Sequence, residues 1–190
     1  MSLARWIITA CWLTFAVYWL IAAVGVKRTV GGSPWRRQVV VRLALIALLV
    51  LLLRFSALRH DLVRAQVFES RIAALSAAGA ALCVLGMALA IWARIHLGRN
   101  WGMPMSQKEH PELIVTGPYA FCRHPIYGGM LLAMLGSALA GNVFWALLLV
   151  AFGVYFIISA RREERLLCRQ FPDSYPAYMQ RTRMLLPFLF

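Results

Sequence analysis

Residues 126–160, IYGGMLLAMLGSALAGNVFWALLLVAFGVYFIISA, contain no Asp, Glu, Lys, Arg or His. A helix rises about 1.5 Å per residue and a hydrocarbon core is about 30 Å thick, so roughly 20 apolar residues make one crossing. The stretch is long enough for two crossings, and Gly141-Asn142 supplies the turn between them. It reads as a membrane hairpin with spans at 126–140 and 143–160. The first of the pair is short, so it is expected to tilt or to be shielded by protein.

Outward from the hairpin, the same reading gives spans at 6–26, 39–58 and 72–93. Gly31-Gly32-Ser33-Pro34 marks the turn between the first two. The run at 6–26 exceeds the apolar core of a secretory signal and shows no small-residue cleavage site, so it is kept as a span. Apolar residues make up 62% of the chain and charged residues 14%, against about 45–50% apolar in soluble domains. The fold expected is all-α: a polytopic integral membrane protein with about five transmembrane helices and a cytosolic cap. It forms one membrane domain, residues 1–190, with a two-span hairpin at 1–70 and a core at 71–190.

The net charge of +13 raises the possibility of nucleic acid as a partner, but its distribution speaks for membrane topology. Lys27, Arg28, Arg36, Arg37 and Arg42 flank the first connection. Arg94, Arg99, Lys108 and Arg123 lie between the third and fourth spans, and Arg161, Arg162, Arg165, Arg169, Arg181 and Arg183 follow the fifth. Fifteen of the 20 basic residues thus fall on one side. The positive-inside rule places connector 94–125 and tail 161–190 in the cytoplasm and the N-terminus outside. The two long polar segments then share one compartment and can meet. Membrane lipids are the implied surroundings, and nucleic acid is not an expected partner. Cys11 and Cys83 lie within apolar runs, and Cys122 and Cys168 lack the paired Cys/His spacing of a zinc site. No metal is expected.

In GPYAFCRHPIYGG, residues 117–129, Pro125 suits the first turn of a helix. The residues before it then lie at a helix N-terminus, which favours anions. Arg123 adds a guanidinium able to clamp a carboxylate, while His124 and Tyr127 add neutral donors. The plain alternative is a basic interfacial anchor with a snorkelling tyrosine. Glu163 and Glu164, two of only seven acidic residues, begin the tail. Along a helix, Glu164 is placed to pair with Arg161 and Glu163 to lie near Arg162, which alone describes a solvated, salt-bridged helix start. Paired carboxylates facing the RHPIY segment suit instead a cationic or hydroxyl-rich ligand.

LIVTGPYAFCRHPIYGG followed by EERLLCRQFPDSYPAYMQRTRMLLPF resembles the isoprenylcysteine carboxyl methyltransferase family and its bacterial relatives over residues 97–190. Phospholipid methyltransferases and some sterol reductases share the pattern. The resemblance implies S-adenosylmethionine as cofactor, bound by the cytosolic cap. By position, Tyr119, Arg123, His124, Pro125 and Tyr127 match the Arg-His-Pro motif. Leu113 and Val115 match an apolar strip beside the cofactor, Glu163 and Glu164 the acidic pair, and Arg181 the arginine after the Tyr-x-x-Tyr element. Pro172 stands where the family has glycine. His110 is one residue farther from Leu113 than the family histidine, so its part in the cofactor site is open.

The resemblance implies an S-adenosylmethionine-dependent methyltransferase acting on a lipophilic small molecule or lipid, first of all by carboxyl O-methylation of a prenylcysteine-like substrate. Arg181 is the candidate catalytic cation for the acceptor carboxylate, which arrives ionised and needs no base. A phospholipid amine requires a base, with Glu164 or His124 available; a small thiol is the third acceptor. A nicotinamide-dependent reductase and a non-enzymatic scaffold or channel subunit are the readings from other classes.

Overall fold

The computed structural model describes residues 2–22, 73–98, 112–141 and 143–185, of which 143 and 144 are described in backbone only. The expected second span at 39–58, the turn at 31–34, and His110 lie outside the described residues. Five α-helices are present among the described residues: α1 Leu3–Ala22, α2 Ala73–Leu97, α3 Pro125–Leu139, α4 Val143–Gln170 and α5 Tyr175–Arg181, with a 3-10 turn at Gly117–Ala120. No strand occurs among the described residues. The all-α membrane class expected from the sequence is the class observed.

Among the described residues three helices, α1, α2 and α4, are long and apolar enough to cross a membrane. The fourth expected span, α3, has only 15 residues and measures about 22 Å, short of a crossing. It packs along α2. Residues 143–160 of α4 are apolar; the helix then continues for ten residues, six of them charged, where the sequence reading ended the span. That extension stands outside the membrane-spanning part and carries both glutamates.

The tightest packing joins α2 to α3. Gly79, Cys83, Gly86, Ala90 and Ala93 recur at steps of four and three residues, and so do Ile126, Gly129, Ala133, Gly136 and Ala140. This heptad spacing keeps a stripe of mostly small side chains on one face of each helix. Apolar lipid offers no hydrophobic drive between helices, so close van der Waals approach has to hold them together. A Cβ on Gly86 would stand 2.5 Å from both the Gly129 carbonyl oxygen and the Ala133 nitrogen, and one on Gly79 2.5 Å from the Gly136 carbonyl oxygen. The pairing of 79 with 136 and 86 with 129 makes the helices antiparallel.

Helix α1 lies against this pair. Trp12 donates from Nε1 to Ser137 Oγ (3.1 Å) and stacks on Trp145 of α4, with centroids 4.5 Å apart. Arg94, buried at the last turn of α2, donates to the Gly98 carbonyl at 2.8 Å and to the Ala22 carbonyl that ends α1. Orphan carbonyls at two helix ends are thereby satisfied by one guanidinium. It also fixes α1 parallel to α2, so α1 ends and α2 begins at opposite ends of the bundle. Among the described residues, the 112–124 connector, the charged extension of α4 and the segment after it gather at the Arg94 end.

Replacing Gly86 by Leu should drive α2 and α3 apart, at a cost of about 1–3 kcal/mol or more. Gly153→Ala on α4, whose nearest neighbour would be 4.0 Å away, should leave the melting temperature in detergent unchanged or raised. Equal losses in the two variants would refute the close-packed seam.

Candidate active site

The connector enters the site without regular secondary structure at 112–115, turns through Gly117–Ala120, and reaches His124 at the N-cap of α3. Pro125 is the first residue of the helix, as its fixed φ and missing N–H favour. The tail folds back beside this segment. Arg123 N–H donates to the Arg183 carbonyl (2.8 Å) and His124 N–H to the Met184 carbonyl (2.9 Å), a short parallel bridge flanked by Cys122 and Arg183. Tyr178 donates its hydroxyl to the Tyr119 carbonyl at 2.6 Å. Gly128 lets the Leu185 carbonyl approach where a Cβ would collide with it. Connector and tail are in direct contact.

Five side chains form the centre. Arg123 Nε donates to Glu164 Oε1 at 2.5 Å, and its Nη1 donates to the carbonyls of Thr182 (2.5 Å) and Met179 (3.2 Å). Tyr127 donates its hydroxyl to Glu163 Oε1 at 2.5 Å. The His124 ring lies between the acids, with Nδ1 3.7 Å from Glu163 Oε2 and Nε2 3.4 Å from Glu164 Oε1. His124 is only 7% exposed, and its Nε2 has no aligned hydrogen-bond partner. The ring is near-parallel to Tyr127, which stacks in turn on Phe156 at 4.5 Å.

The anion-favouring N-terminus of α3 therefore faces the chain's own acidic pair. The pairings along α4 expected from the sequence, Glu164 with Arg161 and Glu163 with Arg162, are replaced by cross-element contacts. Residues 163 and 164 point from α4 toward α3, whereas Arg161, Arg162, Arg165 and Arg169 are exposed. Tyr127 is bonded to Glu163 rather than snorkelling. Of the other sequence-identified residues, Tyr119 is buried and donates its hydroxyl to the Ala93 carbonyl at 3.4 Å. Leu113 is half-buried and Val115 exposed on the approach to the turn. Arg181 stands apart from the centre: it is exposed, and its Nε donates to Ala177 of its own helix at 3.3 Å.

Sequence reasoning missed Phe156, which extends the aromatic stack, and Tyr175 and Tyr178, which seat the tail. Tyr175 is 1% exposed. Their only sequence signal is the Tyr-x-x-Tyr spacing, which puts both on one face of α5. Burial pushes the Tyr178 hydroxyl up to about 12 and the Cys122 thiol up to about 11; both are neutral at physiological pH.

The two acids differ electrostatically. Burial holds the Glu163 carboxyl above the usual carboxylate range, only partly countered by His124 and the Tyr127 hydroxyl. Burial acts on Glu164 too, but His124 and Arg123 outweigh it and hold that carboxyl below the range. Neighbouring carboxylates with opposed shifts are a feature of sites that bind or move charge.

Apolar helices of spanning length with a buried, charged, aromatic-backed cluster at one end define a membrane protein built around a polar site. A family model described as phospholipid methyltransferase matches residues 75–174, and the chain belongs to that family. It is 34% identical over 113 residues to the nickel-cobalt-cadmium resistance protein NccN of Alcaligenes xylosoxydans xylosoxydans, covering 58% of this chain and 52% of that protein. Identity is 30% over 112 residues to the protein-S-isoprenylcysteine O-methyltransferase of Schizosaccharomyces pombe, 57% and 47% of the two chains. It is 36% over 72 residues to methanethiol S-methyltransferase 1 of Bradyrhizobium diazoefficiens, 37% and 24%. The chain spans about half the length of the first two and about a quarter of the third. Among the described residues no group of three or more metal-ligating side chains is assembled.

Opposed shifts give opposed pH dependences. A raised folded pKa makes ionised Glu163 costly at neutral pH, a cost that disappears as pH falls toward the unfolded value of about 4.3. Glu164, with a depressed value, stabilises the fold above about pH 4.3 and loses that contribution only as pH drops through its folded pKa. Glu163→Gln should therefore raise the melting temperature at pH 8, by a margin that shrinks toward pH 4.5. Glu164→Gln should lower it throughout that range. Parallel behaviour of the two variants would contradict the assignment.

Proposed function

We propose that the chain is a membrane methyltransferase that takes its methyl group from S-adenosylmethionine and passes it to a lipophilic acceptor. The observation that carries this reading is the Arg123–His124–Tyr127 and Glu163–Glu164 cluster, with a buried histidine nitrogen that makes no aligned hydrogen bond, at the polar end of the bundle. These residues fit the donor's chemistry. The carboxylate of Glu163 and the stacked faces of His124, Tyr127 and Phe156 suit an ammonium or sulfonium cation, and His124 Nε2 suits a polar group of the ligand. Leu113 and Val115 offer apolar surface, and Tyr119 and Pro125 shape the wall. His110 belongs to this proposal by resemblance alone.

Bound there, S-adenosylmethionine supplies an electrophilic methyl carbon on a sulfonium. The residues of the chain orient the partners and keep water out, and such a displacement gains chiefly from proximity and orientation. Arg123 acts through Glu164 and the tail carbonyls as a positioning residue. A prenylcysteine-like carboxylate is the first acceptor, because Arg181 presents an exposed guanidinium on the tail and because one relative is named for an isoprenylcysteine. The second reading is a phospholipid amine or small thiol, favoured by Glu163, whose burial makes it a better proton acceptor than an ordinary carboxylate. The concentration of basic residues at this end supports a cytoplasmic site and an N-terminus outside.

The test is calorimetry with S-adenosylmethionine and its demethylated product in detergent, together with transfer of a labelled methyl group to N-acetyl-S-farnesylcysteine. Binding of both compounds is expected. Arg181→Ala should cut transfer about ten- to a hundredfold, the value of a charge-assisted contact, while leaving donor affinity within a few fold. No binding by folded protein would refute donor use, and full turnover in Arg181→Ala would remove the carboxylate clamp.

A further inference from the structure

The two glutamates are adjacent in sequence but are held in different ways. Glu164 is buried, with Oε1 in an ion pair with Arg123, whose remaining contacts go to tail carbonyls. Removing that carboxylate breaks a packing joint. Glu163 has no guanidinium partner: the Tyr127 hydroxyl donates to it at 2.5 Å and the His124 ring lies 3.7 Å away, and its side chain keeps 22% of its surface open. Charged or titratable groups near Glu163 are His124 from the connector, Tyr127 from α3, Glu164 and, across the ion pair, Arg123, with Tyr119 farther off.

We infer that Glu163 is the proton acceptor of this site, fitting it to nucleophiles that lose a proton on methylation, a lipid amine or a thiol, while Glu164 is a positioning residue. This rests on the methyl-transfer reading and develops the second acceptor chemistry. The lone pair of the acceptor forms the new bond to the methyl carbon, the carbon–sulfur bond breaks with its electrons left on sulfur as a thioether, and the acceptor's proton passes to Glu163. Tyr127 and His124 fix the carboxylate that receives it, and the open edge returns the proton to water. The upward shift that burial gives this carboxyl improves the match between base and acceptor, and a carboxylate acceptor would not use it.

The experiment compares wild type, Glu163→Gln, Glu163→Asp and Glu164→Gln on three probes: phosphatidylethanolamine vesicles, octanethiol and N-acetyl-S-farnesylcysteine. With labelled S-adenosylmethionine, wild type is expected to methylate the amine or the thiol. Glu163→Gln should lower kcat on that probe by about 10²–10⁴-fold with donor affinity within about threefold, and Glu163→Asp should restore part of the rate. Infrared titration of the ligand-free protein gives a second readout: a protonated-carboxyl band appearing above the ordinary carboxylate range, lost in Glu163→Gln and kept in Glu164→Gln. Retained kcat in Glu163→Gln, transfer to the carboxylate probe alone, or absence of that band would each overturn the inference. Failure of wild type to bind S-adenosylmethionine would instead overturn the methyl-transfer reading.

Discussion

The ion pair between Arg123 and Glu164 is the contact on which the rest of the site depends. Burying two charges costs several kcal/mol per ion unless their remaining donors and acceptors are satisfied. Here the guanidinium meets that condition by spreading its N–H groups over Glu164, Met179 and Thr182. Three elements distant in sequence are thereby joined at one side chain: the connector, the charged extension of α4, and the tail. The backbone bridge to Arg183 and Met184 and the Tyr178–Tyr119 contact add to a joint already in place. A lysine would carry the charge but not the planar fork.

The pair has its position because the bundle beneath it is rigid. Glycine and alanine on the facing stripes of α2 and α3 bring the two backbones together, and that contact sets where α3 begins. Helix α3 begins with Pro125, so Arg123 and His124 are held at the helix mouth, opposite the point where α4 leaves its apolar part. Arg94 ties the ends of α1 and α2 into the same level. Because the site is assembled from helix ends, apolar packing determines its geometry while polar contacts determine its electrostatics.

Much of this could be read from the sequence. Apolar runs of near-crossing length gave α1, α2, α3 and α4, and Pro125 gave the start of α3 to the residue. The meeting of connector and tail followed from charge counting, since basic residues cluster on alternate connections. What stayed hidden was pairing. Glu164 has Arg161 three residues back along the helix, and local spacing points to it, yet the helix turns the carboxylate inward to Arg123. Arg123 read as a free clamp for a ligand carboxylate because sequence does not show which acceptors its donors already have. The α2–α3 stripe is present in the sequence as small residues at heptad spacing, but hydropathy, which marks the spans, does not separate a glycine seam from lipid-facing surface. Residue 110 and the second expected span lie outside the described residues.

A double-mutant cycle on Arg123 and Glu164, measured by reversible unfolding in detergent with Arg123→Met, Glu164→Met and the double variant, tests the central claim most directly. If the pair joins connector, α4 and tail, each single change should be strongly destabilising, on the order of 3–5 kcal/mol, because it leaves a buried charge alone. The double change should then cost less than the sum by about 1–3 kcal/mol. Additive effects within about 0.5 kcal/mol would show that the two groups do not act together, and the account of how the site is closed would be wrong.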